Sequence, residues 1–241
     1  MEKVLHRADK RGRGDHEWLS TRYSFSFADW FEPARRGFGA LRVLNDDTIA
    51  PASGFPMHSH RDMEIITIVT SGELTHKDSL GNIGVVRTDD VQVMSAGTGI
   101  VHSEYNASPI EPLTLFQIWI QTEKEGSVPR YNQKSFETTR AKDGIVPIAG
   151  PTGGDYPLKI QQNAFISRAV VELNHPCDYP LHKEGNGVYI FVIEGTAEVA
   201  GERLNARDAL GVSEVGVVPV TANSPATILI IEVPMSTEGR E

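Results

Sequence analysis

Residues 54–72 read Gly54-Phe-Pro-Met-His-Ser-His-Arg-Asp-Met-Glu-Ile-Ile-Thr-Ile-Val-Thr-Ser-Gly72. The run Glu64-Ile-Ile-Thr-Ile-Val69 is short and β-branched, and a glycine soon follows it, which is how a strand runs into a turn. Ahead of it, Met57-His-Ser-His60 sets two imidazoles two residues apart. Alternate side chains of a strand share a face, so His58 and His60 point the same way. Similar runs recur along the chain: Val91-Gln-Val-Met94, Leu115-Phe-Gln-Ile-Trp-Ile120, Tyr189-Ile-Phe-Val-Ile193, Ala197-Glu-Val-Ala200 and Ile228-Leu-Ile-Ile-Glu-Val233. Asp78-Ser-Leu-Gly-Asn82 and Gly185-Asn-Gly187 are turn signals between them. Long helical periodicity is scarce. Many short strands with frequent turns predict an all-β sandwich or barrel.

The pattern repeats approximately. Ile68-Val-Thr-Ser-Gly-Glu-Leu-Thr-His76 followed by Arg87-Thr-Asp-Asp-Val-Gln-Val-Met94 has a counterpart in Val192-Ile-Glu-Gly-Thr-Ala-Glu-Val199 followed by Leu204-Asn-Ala-Arg-Asp-Ala-Leu-Gly211. Each is a strand, a glycine turn, a second strand, then an Asp-containing turn into a third. The 241 residues accommodate two such β-domains. The polar stretch Gln121–Gly144 is the linker candidate between a domain over residues 1–130 and one over 131–241.

Composition narrows the function. Lys and Arg number 23 against 32 Asp and Glu, a net charge of −9. Such a surface repels phosphate backbones and anionic lipid, so neither nucleic acid nor membrane is an expected partner. No stretch approaches the ~18 apolar residues of a membrane span, and the charged N-terminus does not read as a secretory signal. The lone Cys177 excludes an intrachain disulfide and a cysteine-rich zinc site. A cytoplasmic monomer is the expectation.

A second histidine tract reads Gly97-Thr-Gly-Ile-Val-His-Ser-Glu-Tyr-Asn106. His102 and Glu104 have the same two-residue spacing as His58 and His60. If the two strands are neighbours, three imidazoles and a carboxylate converge. That donor set suits Fe, Cu, Ni, Mn or Zn rather than Ca or Mg, and it leaves coordination positions open. A closed structural zinc site is the alternative. Spacing alone leaves Glu64 open, as a ligand in place of Glu104, as a group orienting an imidazole, or as a plain buried salt-bridge residue.

Residues 54–72, with His76-Lys-Asp-Ser-Leu-Gly-Asn82 and Met94-Ser-Ala-Gly-Thr-Gly-Ile-Val-His-Ser-Glu104, resemble the first cupin motif of the pirin family, in particular its bacterial quercetin 2,3-dioxygenase-like members. Phe25-Ser-Phe-Ala-Asp-Trp30 and Gly39-Ala-Leu-Arg-Val-Leu-Asn45 resemble the family too, and the likeness is strong over residues 15–125. It implies a bicupin of two packed jelly-roll barrels with a mononuclear divalent metal in the first. Iron(II) is the expected ion, with Cu, Ni, Mn, Co or Zn as alternatives. The implied ligands are His58, His60, His102 and Glu104, which leaves Glu64 as a neighbour of the site.

The implied reaction is O2-dependent opening of a flavonol heterocycle with loss of carbon monoxide. Glu104 is expected to take the substrate's proton, and Ile66, Ile68, Val93 and Phe116 are candidates for an apolar wall. The competing class is a redox-sensitive, iron-binding regulator acting through protein partners. In the second half only His182 of Pro180-Leu-His-Lys-Glu184 matches the motif's histidines, and Asp208–Val218 has none, so the C-terminal cupin is expected to be degenerate and metal-free. His76 reads as a polar strand residue or part of a cavity mouth. His6, His16 and His175 read as exposed, and Trp18, Trp30, Phe25 and Phe27 as core.

Overall fold

In a computed structural model of the chain, residues 1–137, 144–173 and 176–235 are described. Among these residues the β-branched runs form strands as expected, and they assemble into two seven-stranded sheets and three smaller ones. The first large sheet has Met63–Ser71, Leu113–Gln121 and Leu41–Ile49 at its centre, and the second has Asn186–Glu194, Ala226–Pro234 and Phe165–Val171. Almost none of the described residues are helical, and the architecture is a bicupin. Among the described residues no helix is long and apolar enough to cross a membrane.

The two large sheets share one apolar core. Ile66, Val93, Phe116 and Ile118 of the first sheet join Ile148, Ile166, Phe191 and Ile231 of the second in a single buried cluster. Phe116 meets Phe191 edge-on across this seam, with ring centres 5.5 Å apart, a geometry that aromatic quadrupoles favour. Three of the four candidate wall residues, Ile66, Val93 and Phe116, are therefore core between the barrels, and Ile68 packs against the same core. The correction has a simple cause: alternation along each strand gives two apolar faces when both are covered.

The internal repeat has physical content. Gly72 and Gly195 close equivalent hairpins at φ 88° and 79°. A side chain on Gly195 would stand 2.1 Å from the Pro225 carbonyl, so glycine is required there. The two Asp turns are built alike. Asp90 accepts the Arg87 N–H at 2.9 Å and Asp208 accepts the Asn205 N–H at 3.1 Å. The linker candidate Gln121–Gly144 is not all linker, because Arg130–Ser135 pairs with Asp90–Ser95 as an edge strand of the first sheet. Residues 138–143, within that stretch, lie outside the described residues.

The N-terminal strand Glu2–His6 crosses to the second sheet and pairs with Ala209–Ser213. His6, expected to be exposed, is buried there between Phe25 and Tyr189, with Nδ1 hydrogen-bonded to the Tyr189 hydroxyl at 2.8 Å. A polar N-terminal context hid this, because the strand's partner lies some 200 residues away. His16 is exposed, and His175 lies outside the described residues.

Burial, aided by Arg35, lowers the His6 pKa to about 4. The unfolded chain, with an ordinary histidine near pH 6.5, then binds the proton first as pH falls. The stability tied to neutral His6 is intact above pH 6.5 and is lost between about 6.5 and 4, amounting to about 3 kcal/mol. His6→Gln is expected to remove that part of the pH dependence in denaturant titrations at pH 7 and pH 4. Parallel losses in the two proteins would contradict it.

Candidate metal centre

The small sheet facing the first large one carries the chemistry. Its strand Ile100–Asn106 lies between Gly54–His60 and Glu73–Asp78. The register sets His102 opposite His58 on one side and Asp78 on the other, and Glu104 opposite Phe55 and His76. Between these pairs the register with Gly54–His60 shifts, leaving Pro56 and Met57 in a bulge. Proline fits a bulge because it has no N–H to give the ladder. The Pro56 carbonyl lies 2.7 Å from His58 Nδ1. A carbonyl only accepts, so Nδ1 carries the hydrogen and Nε2 keeps its lone pair.

The rings of His58, His60 and His102 are 4.4–4.9 Å apart. One donor atom of each lies within 4.8 Å of the other two. His58 and His60 are half-buried, and His102 is 1% exposed. Neither ring nitrogen of His102 has a hydrogen-bond partner among the described residues. Such a loss costs about 1–3 kcal/mol per buried group unless something else takes the nitrogens. Burial, then the neighbouring His58 and His60, drive the His102 pKa down to about 3, and burial followed by His58 drives His60 to about 4. Both rings are neutral at pH 7 with lone pairs available. A nitrogen-preferring divalent metal fits this donor set.

Glu104 is 3% exposed. Its carboxylate accepts from Thr67 Oγ1 and Gln92 Nε2 at 3.3 Å and from Gln117 Nε2 at 3.1 Å. Burial raises its pKa to about 7 against these hydrogen bonds, and Asp47 adds to the rise. Its oxygen falls in a second group with His102 and His76. The structure thus brings together three of the four expected ligands, and joins the fourth to them through His102.

Glu64 is corrected. It is fully buried on the other face of its strand, accepting from Ser95 Oγ at 2.7 Å and from the Gln161 backbone. The parity expected from His60 to Glu64 fails because Asp62 turns the chain at φ 48°. Thr67, not Glu64, reaches the site.

Thr67 belongs to a polar ladder. Asn45, Gln117, Thr67 and Gln92 are consecutive cross-strand partners in the first large sheet. Following the repeat, the second sheet sets Ser167, Ile230, Ile190 and Leu210 at the matching positions. The second barrel's interior is a cluster of Val, Ile, Leu and Ala around Tyr179. Its one motif histidine, His182, bonds Glu232 at 2.9 Å and lies flat on Phe165.

Two further residues stand at the site: His76, expected as a polar strand residue or part of a cavity mouth, and Trp119, for which no role was expected. His76 is fully buried against His102, and Trp119 meets the His60 ring edge-on at 4.9 Å. The signal for the first was present: His76-Lys-Asp78 repeats the two-residue spacing of the other pairs. Trp119 had no such signal. Phe27 touches Trp119, whereas Phe25 is core as expected.

Comparisons with known proteins agree with this architecture. The pirin family matches residues 5–120, and the quercetinase C-terminal cupin domain family matches residues 147–233. The chain is 42% identical to a pirin-like protein of Caulobacter vibrioides over 93% of its length and 96% of the relative's. It is 37% identical to the quercetin 2,3-dioxygenase of Escherichia coli K12, covering 95% of this chain and 98% of that one. Among solved structures it is similar to the bacterial pirin YhhW of Escherichia coli in complex with nickel(II), at a TM-score of 0.92 and 36% identity, over 98% and 100% of the two chains.

Gly54 sets how closely the two histidine strands approach. A Cβ there would stand 2.2 Å from the Glu104 carbonyl oxygen and 2.5 Å from Tyr105 Cα. Gly54→Ala is expected to pry the strands apart and weaken nickel(II) binding about tenfold or more in calorimetry, the scale seen when a ligand's support is lost. Unchanged affinity would show that this spacing does not matter.

Proposed function

This chain belongs to the pirin family, and on that premise we propose that its N-terminal cupin, within residues 1–130, opens the heterocycle of flavonols such as quercetin with O2. Both oxygen atoms enter the opened product and carbon monoxide leaves. The observation that carries the reading is the meeting of His58, His60 and His102, two of them half-open to solvent and the third buried with both nitrogens unpartnered. Those three imidazoles, with Glu104, are the ligands for an iron(II) or similar divalent ion. When bound, such an ion supplies a Lewis-acidic centre with open positions, able to acidify a chelating hydroxyl and to bring O2 to the substrate.

The rest falls to the protein. The flavonol's 3-hydroxyl gives its proton to Glu104. Gln92, Gln117 and Thr67 fix the carboxylate from three sides, so it takes the proton without first reorganising. Phe55, 6.3 Å from the His58 ring, and Trp119 beside His60 offer aromatic surfaces for the substrate's rings. They replace the wall that Ile66 and Phe116 were expected to form.

Oxygen uptake with quercetin by the iron-loaded protein tests the reading. Turnover is expected in the wild type and is abolished in His58→Ala. Glu104→Gln should lower kcat by about 100-fold or more, the usual contribution of a positioned base. Turnover in wild type that persists in His58→Ala, or none with any of iron, nickel, cobalt or manganese, would overturn it.

A further inference from the structure

We propose that the second cupin carries a hydrolytic site for aryl esters at His182, and that this site consumes the product released by the first cupin. The second clause rests on the flavonol reading. The first stands on the second barrel's own residues.

Its ground is a histidine that the fold orients but does not bury. Glu232 is fully buried. It accepts from the Tyr179 hydroxyl and Asn186 Nδ2 at 2.9 Å, and from the backbone N–H groups of His182 and Lys183 at 3.0 and 3.1 Å. A carboxylate offers about four lone-pair positions, and those four donors fill them without the imidazole. His182 Nδ1 nevertheless lies 2.9 Å from Glu232 Oε2. The carboxylate only accepts, so Nδ1 carries the hydrogen and Nε2 keeps its lone pair. The His182 side chain is 37% exposed, and its ring lies on Phe165 with 4.3 Å between centres. A buried carboxylate that fixes the tautomer of an accessible imidazole is the base half of the serine-hydrolase arrangement. Here water serves as the nucleophile.

The surroundings suit an aromatic acid. Phe165 and Tyr156, whose ring stands 6.5 Å from that of His182, also line a crevice of about 490 Å³. Lys124 is on its wall, and Lys159 Nζ lies 5.9 Å over the Tyr156 ring. Glu123, on the same wall, accepts from Asn163 Nδ2. Stacking surfaces beside ammonium groups favour an aromatic carboxylate.

The ring opening in the first barrel yields such a molecule. The heterocycle's oxygen stays on its aryl ring, and the carbon beside it gains a carbonyl oxygen. The former ketone carbon ends as a carboxylate on the neighbouring ring position. The product is therefore an aryl ester with an adjacent carboxylate. At His182, Nε2 takes a proton from water as the water oxygen bonds to the ester carbonyl carbon. The bond from that carbon to the aryl oxygen breaks, and the imidazolium returns the proton to the departing phenolate. Ester and water become a carboxylic acid and a phenol, and the step needs no oxidant.

The full chain, stripped of metal by a chelator and given O-benzoylsalicylate, tests the site. Salicylate release is expected about 100-fold or more above that of His182→Ala, the usual contribution of a positioned base. His16→Ala, which removes another exposed histidine, should match the wild type. Nitrogen NMR is expected to show His182 as the Nδ1–H tautomer, and Glu232→Gln to mix the tautomers and slow release. Equal release by wild type and His182→Ala would overturn the site, and an unchanged tautomer and rate in Glu232→Gln would overturn the positioning role of Glu232. The exposed His182→Ala decides the matter even if the buried Glu232→Gln fails to fold. With iron-loaded protein and quercetin, the wild type should release acid and phenol, and His182→Ala the intact ester at unchanged oxygen uptake. Intact ester from the wild type would overturn the coupling. No oxygen uptake would overturn the flavonol reading, and O-benzoylsalicylate would still decide the site.

Discussion

The site depends on one antiparallel register, the pairing that sets His102 across from His58. Side chains on a strand alternate, so a slip of one residue would send both imidazoles of a pair to the opposite face. The register is held by local devices. Gly54 lets the strands approach to backbone contact, and the bulge at Pro56 and Met57 absorbs one residue. The bulge also turns a carbonyl onto His58 and so selects the nitrogen that remains free. A sequence feature that looks like a flaw in a strand, a proline two residues before a histidine, thus orients the imidazole.

The two barrels show how little of the backbone distinguishes a reactive interior from a filled one. Their hairpins and Asp turns superpose in pattern, down to the hydrogen bonds of Asp90 and Asp208. What differs is a row of side chains. Gln117, Thr67 and Gln92 hold a buried carboxylate in the first barrel. Ile230, Ile190 and Leu210 close the interior of the second. The second barrel's buried carboxylate, Glu232, lies two residues beyond Ile230 and has donors of its own in Tyr179, Asn186 and the His182 and Lys183 N–H groups. Function resides in the row rather than in the fold.

Much of this was legible in the sequence because period-two alternation is a local property. The HxH and HxE spacings placed His58, His60, His102 and Glu104 on shared faces, and the repeat announced two β-domains. What was not legible depended on geometry between strands. Nothing local shows that Asp62 turns the chain and breaks the parity of Glu64. Ile66 and Phe116 look like lining of a barrel, and only the packing of two sheets makes them a shared core. Asp78 read as a turn residue, which it is, yet its second oxygen also holds His76. His6 found its place through a strand partner at the far end of the chain.

The central claim is that side chains from separate strands converge on one cation. Anomalous scattering from a crystal of the protein soaked in nickel(II) tests it most directly. The account predicts a peak within about 2.0–2.2 Å of one nitrogen from each of His58, His60 and His102, the range of real N and O ligand bonds. A difference map with no peak among those three rings, or with nickel only on exposed histidines such as His16, would contradict it.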